Sequence, residues 1–86
     1  MIKKFIVISA DYYSYQIQDK TNKEVRNELK QICQEILDAV KEHGHYEDGR
    51  MDRIVENHYP DAVKSDQYDL GYDYIFFLES NGTFHE

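Results

Sequence analysis

The spacing of apolar residues changes along this chain, and each change marks a different element. Phe5 to Ser9 is a β-branched apolar run preceded by Lys3 and Lys4, as expected of a strand buried on both faces at the centre of a small sheet. Tyr12 to Gln18 then alternates, with Tyr13, Tyr15 and Ile17 on one side and Tyr12, Ser14, Gln16 and Gln18 on the other, which predicts a second strand. From Thr21 the period lengthens. Val25, Leu29, Ile32, Cys33, Ile36, Leu37 and Val40 recur at intervals of three and four, the stripe of an amphipathic helix. Thr21-Asn22-Lys23-Glu24 has the form of a capping box at its start, and Gly44 supplies a stop just after His43.

The second half is less regular. His45 to Arg50 is polar and reads as a loop, while Met51, Ile54, Val55 and His58 share one face of a short helix that Pro60 ends. Asp61 to Gly71 carries no clear period. Tyr72 to Glu79 alternates again, with Tyr72, Tyr74, Phe76 and Leu78 on one face, which predicts a strand; Asn81-Gly82 marks a turn. The expected fold class is α+β: a small antiparallel or mixed sheet of two to three strands packed on one long helix plus one short helix. Residues 1–86 form a single domain, since no repeat, low-complexity segment or linker divides the chain.

A chain of 86 residues buries only roughly 60–65% of its unfolded surface, so the core is thin and self-association, as a homodimer, would add to it. Cys33, the single cysteine, sits in the helical stripe and is expected to be a buried small hydrophobe. It has no internal disulfide partner, which suits a reducing compartment. The apolar run near the amino end stops at Asp11, short of a signal-peptide core, and nothing approaches the length of a membrane span. A cytoplasmic location is the expectation.

Charge changes the picture more. Residues 1–41 hold seven Lys/Arg against six Asp/Glu, whereas in the rest Arg50, Arg53 and Lys64 face eleven acids, and the whole chain carries a net charge of −7. A field of that sign repels nucleic acid and anionic membrane and attracts basic protein surfaces. Direct nucleic-acid binding is not expected, because the lysines are scattered and outnumbered.

Catalytic chemistry finds little footing. Cys33 lies among core positions, no serine stands in a Gly-x-Ser-x-Gly elbow, and no glycine-rich phosphate loop occurs, so no catalytic residue and no cofactor is assigned. His43, His45, Glu47, Asp48 and His58 are ligand types for zinc, but they lack a second paired ligand set. A histidine in a helix's last turn is in any case favoured by the helix dipole. No metal site is assigned.

Asp61, Asp66, Asp69 and Asp73 recur every three to five residues with Tyr59, Tyr68, Tyr72 and Tyr74 among them. A solvated acidic face that keeps a small domain in solution accounts for this pattern without further function. Two features point beyond that. Three basic residues in this half cannot neutralise its acids, and tyrosine beside carboxylate is an interface-like mixture. The candidate partner-binding residues are Asp52, Glu56, Asp61, Asp66, Asp69, Asp73, Tyr59, Tyr68 and Tyr72. Carboxylates one helical turn apart stand about 5–6 Å from each other, against one DNA charge per roughly 1.7 Å of axis, so a folded acidic surface can approximate part of a phosphate track.

The stretch Ile54-Val55-Glu56-Asn57-His58-Tyr59-Pro60 resembles a segment of the small acidic phage antirestriction proteins, the Ocr-like DNA mimics. Val55 stands where that pattern has alanine, Glu56 where it has aspartate, and Pro60 matches; the downstream Tyr-x-x-Asp spacing is not kept. The resemblance implies a dimeric inhibitor that blocks a host defence or DNA-binding protein. Together these readings give a small acidic inhibitor whose partner is a basic nucleic-acid-binding protein. The alternatives are an immunity or antitoxin-type inhibitor of a nuclease, a metal-binding regulatory domain using the histidines, and a structural subunit whose aromatic strands pair with a larger partner.

Overall fold

A computed structural model describes residues 6–66 and 74–86. Along the chain it places β1 (Ile6–Ser9), β2 (Ser14–Ile17), α1 (Asn22–His43), α2 (Arg50–His58), β3 (Val63–Ser65), β4 (Tyr74–Glu79) and β5 (Thr83–His85). The strands form one mixed sheet in the order β3-β2-β1-β4-β5. β1 pairs antiparallel with β2 and parallel with β4, and the outer pairs β2–β3 and β4–β5 are antiparallel. The α+β class and the two helices follow expectation. Among the described residues the sheet has five strands instead of two to three, because β3 and β5 are three-residue edge strands too short to show a period.

The central position of β1 explains its unbroken apolar run: Ile6 and Ile8 are fully buried on the helix side, and Val7, on the opposite side, is 5% exposed. Alternation along β2 and β4 sends Tyr15, Ile17, Phe76 and Leu78 to the same face as Ile6 and Ile8, where Val25, Leu29, Ile32, Cys33 and Ile36 of α1 and Met51, Ile54 and Val55 of α2 meet them. This layer of apolar contacts is the main source of stability, since a fully buried residue of that size contributes about 1.5–3 kcal/mol relative to exposure.

α1 begins and ends where its capping residues require. Thr21 Oγ1 accepts the Glu24 N–H at 3.1 Å, and Gly44, at φ 79°, donates its N–H to Val40 O at 2.8 Å. Leu37 departs from the predicted stripe, being 43% exposed. Its side chain packs against the β4–β5 turn, where Gly82, at φ 79°, comes so close that a Cβ there would run into it. Cys33 is buried, and desolvation pushes its thiol up.

Candidate functional site: the acidic tyrosine corner

The turn between β1 and β2 meets the amino end of α2 at one corner of the molecule, and carboxylates make the joint. α2 opens on Gly49, which has no side chain to cap the free N–H groups of the first turn. Asp11 and Tyr46 do that work from elsewhere in the chain. Asp11 Oδ2 accepts the Gly49 N–H at 2.7 Å and the Tyr46 hydroxyl, whose oxygen in turn accepts the Met51 N–H at 3.0 Å. One residue further on, Asp52 accepts the Tyr12 N–H at 3.0 Å on Oδ2 and the Tyr15 hydroxyl at 3.1 Å on Oδ1. Burial pushes the Asp52 carboxyl above its ordinary pKa, against the lowering effect of these two hydrogen bonds. Burial likewise raises the Tyr15 and Tyr46 phenols.

Outside this buried joint stands an exposed one. Tyr12 is 59% exposed and Tyr13 36%. Asp48, then Asp11 and Asp52, hold the Tyr12 phenol above its usual pKa, with desolvation adding to their effect. Asp66 shares a small hollow with Tyr12 and Tyr13. Beside it, the Lys64 ammonium lies 3.9 Å from the Tyr13 ring centroid and 2.9 Å from Glu56 Oε1. The corner therefore combines aromatic contact area with negative charge, a surface suited to cationic groups.

The residues predicted as partner-binding do not gather as expected. Asp52 is 4% exposed and serves the β1–β2 joint, and Tyr59 is 6% exposed in the core, so neither offers surface to a partner. The apolar stripe of α2 carries both inward, a tertiary fact that acid or aromatic counting misses. Glu56 is half-buried and paired with Lys64. Asp61 and Asp66 are exposed but lie at opposite ends of β3, and only Asp66 belongs to the corner. Asp69, Asp73, Tyr68 and Tyr72 lie outside the described residues. Conversely, Asp11, Tyr12, Tyr13 and Asp48 were not among the predicted set. The alternation that predicts a strand from Tyr12 takes in both tyrosines, whereas β2 begins at Ser14 and leaves Asp11, Tyr12 and Tyr13 in the turn.

Ion pairing also differs from expectation. Arg50 and Arg53 both turn to Glu47, at 2.8 and 3.7 Å, while histidines and bases from the first half serve other acids: His58 pairs with Glu35, His85 with Glu79 at 3.0 Å, and Arg26 with Glu86. Two guanidinium groups on one carboxylate leave Asp48, Asp61 and Asp66 without an ion pair among the described residues. Glu47 is held below the ordinary carboxylate pKa by the hydrogen bond from Arg50.

Among the described residues, no group of three His, Cys, Asp or Glu side chains is placed to hold a metal ion, and no helix is long and apolar enough to cross a membrane. No family model, curated protein or solved structure matches this chain.

Proposed function

We propose that this protein is an acidic inhibitor or decoy that docks its tyrosine corner on the basic nucleic-acid-binding surface of another protein. The observation that carries the reading is the exposed Tyr12 ring with the charges of Asp48, Asp11 and Asp52 pooled around it. A basic groove built for phosphates would find here negative charge plus aromatic surface, the two components of a stacked and charged strand of nucleic acid. Asp66 and Tyr13 extend the patch, and no ion pair among the described residues screens Asp48 or Asp66. Asp11 and Asp52 fix the patch in place by binding the turn to α2, so little ordering cost remains on docking.

The test is capture of partners from the native cell with wild-type protein and with an Asp48→Asn, Asp66→Asn double variant, at low and high salt. The expected partner binds nucleic acid, is released by competing DNA, is lost from the double variant, and elutes as salt rises. A partner held equally by both proteins and indifferent to salt and DNA would overturn the reading.

A further inference from the structure

A second recess lies at the other end of β3. The β2–β3 ladder ends at Gln16 opposite Val63, and beyond that pair the two diverging segments line an open recess of about 430 Å³. One wall is Gln18, Asp19 and Lys20, leading into α1; the other is Pro60, Asp61 and Val63, leading out of α2. The buried ring of Tyr59 also contributes to the lining. The volume falls within the roughly 300–1,000 Å³ usual for ligand sites.

Charge says what the recess accepts. Lys20 is neutralised by Glu28, with Nζ 2.9 Å from Oε1, and its ammonium rests 5.7 Å from the Tyr59 ring centroid. His58, also on the lining, is paired with Glu35. Asp19 and Asp61, one on each wall, are exposed and have no ion pair among the described residues. The recess is therefore left with one carboxylate without an ion pair on each wall, while Pro60 and the half-exposed Val63 add apolar surface at its rim. An aliphatic stem ending in a cation satisfies both features, because long basic side chains lay their methylenes on apolar surface and keep the charged head among polar groups.

We infer that the recess between Asp19 and Asp61 receives a lysine or arginine side chain carried on an extended segment of the partner protein. This rests on the reading of the protein as a ligand for a basic surface, and it assigns a second, separate point of contact. The corner receives the face of the basic groove, and the recess takes a side chain from a neighbouring strand or tail.

The probe is a short extended peptide, Gly-Arg-Gly-Lys-Gly with blocked ends, titrated at low salt into nitrogen-15-labelled full-length protein. The control peptide replaces arginine by citrulline and lysine by norleucine. The expected result is saturable shifts of the Gln18, Asp19, Ala62 and Val63 amides with the basic peptide alone. Affinity should fall about tenfold in an Asp19→Asn, Asp61→Asn double variant, in line with two exposed ion pairs. Asparagine tolerates the left-handed backbone of Asp19, at φ 62°, so that variant is expected to keep the native spectrum elsewhere. In the Asp48→Asn, Asp66→Asn protein the shifts at those four amides should saturate as in the wild type. Absence of shifts at those four amides, equal shifts with the control peptide, or undiminished affinity in the Asp19/Asp61 variant would each overturn the inference. Failure of the corner reading appears separately, as partner capture indifferent to Asp48 and Asp66.

Discussion

Replacing Asp52 by asparagine and by alanine separates the two things this carboxylate does, which are to accept hydrogen bonds and to carry a charge. Alanine removes both side-chain acceptors: the Tyr12 N–H loses its partner, and the Tyr15 hydroxyl is left with the longer contact to the backbone carbonyl of residue 52, at 3.5 Å. The unpartnered N–H costs about 1–3 kcal/mol and the weakened hydroxyl contact about 1 kcal/mol more, so the fold should lose roughly 2–4 kcal/mol. Asparagine can keep both contacts: its carbonyl takes the Tyr12 N–H, and its amide donates to the Tyr15 oxygen, because a hydroxyl accepts as well as donates. It gives up a charge at the start of α2, worth about 0.3–1 kcal/mol, but relieves the burial of that charge. The expected change at pH 7 is therefore within about 1 kcal/mol of wild type.

The pH dependence fixes the sign. Burial raises the Asp52 pKa above its ordinary 3.8, so in the acid range the folded state binds more protons there than the unfolded state. Stability at this site consequently rises as pH falls through the folded pKa, is fully present below 3.8, and is lost again as pH rises. Any advantage of asparagine at neutral pH should shrink on acidification. Urea unfolding followed by circular dichroism, from pH 7 downward and with m-values compared, measures this directly. Asparagine as damaging as alanine, or a difference from wild type that ignores pH, would refute the reasoning.

Thr21→Ala should cost about 1 kcal/mol, read as a lower urea midpoint, because the Glu24 N–H loses its cap. Leu29→Ala, at a fully buried position between α1 and the sheet, should cost roughly 2–5 kcal/mol in the same assay. Gly82→Ala is expected to lower the melting temperature, since it combines a positive φ with a Cβ driven into Leu37; the Leu37→Ala, Gly82→Ala double variant should recover the steric part alone. Glu47 behaves oppositely to Asp52. Its depressed folded pKa contributes stability above the ordinary value of 4.5 that is lost as pH falls, and an NMR titration should find that pKa moving back toward 4.5 in Arg50→Ala or at high salt.

Sequence alone determined the elements that carry a strong local signal. The capping box at Thr21, the apolar stripe and Gly44 fixed α1, and the alternation in Tyr15, Ile17, Phe76 and Leu78 assigned the inward face of two strands, because period and capping are properties of neighbouring residues. β3 and β5 had no such signal. Three residues show no period, and they become strands only because β2 and β4 offer them an edge.

Tertiary structure decided which acids are surface and which are joints. Asp52 and Asp48 are equivalent to any count of charge, yet one is buried against Tyr12 and Tyr15 and the other stands in the open beside the Tyr12 ring. Asp11 joins them only because the β1–β2 turn folds against the start of α2, across a separation of 38 residues from Asp11 to Gly49. The field at a point depends on distances through space, which the order of residues along a chain does not contain.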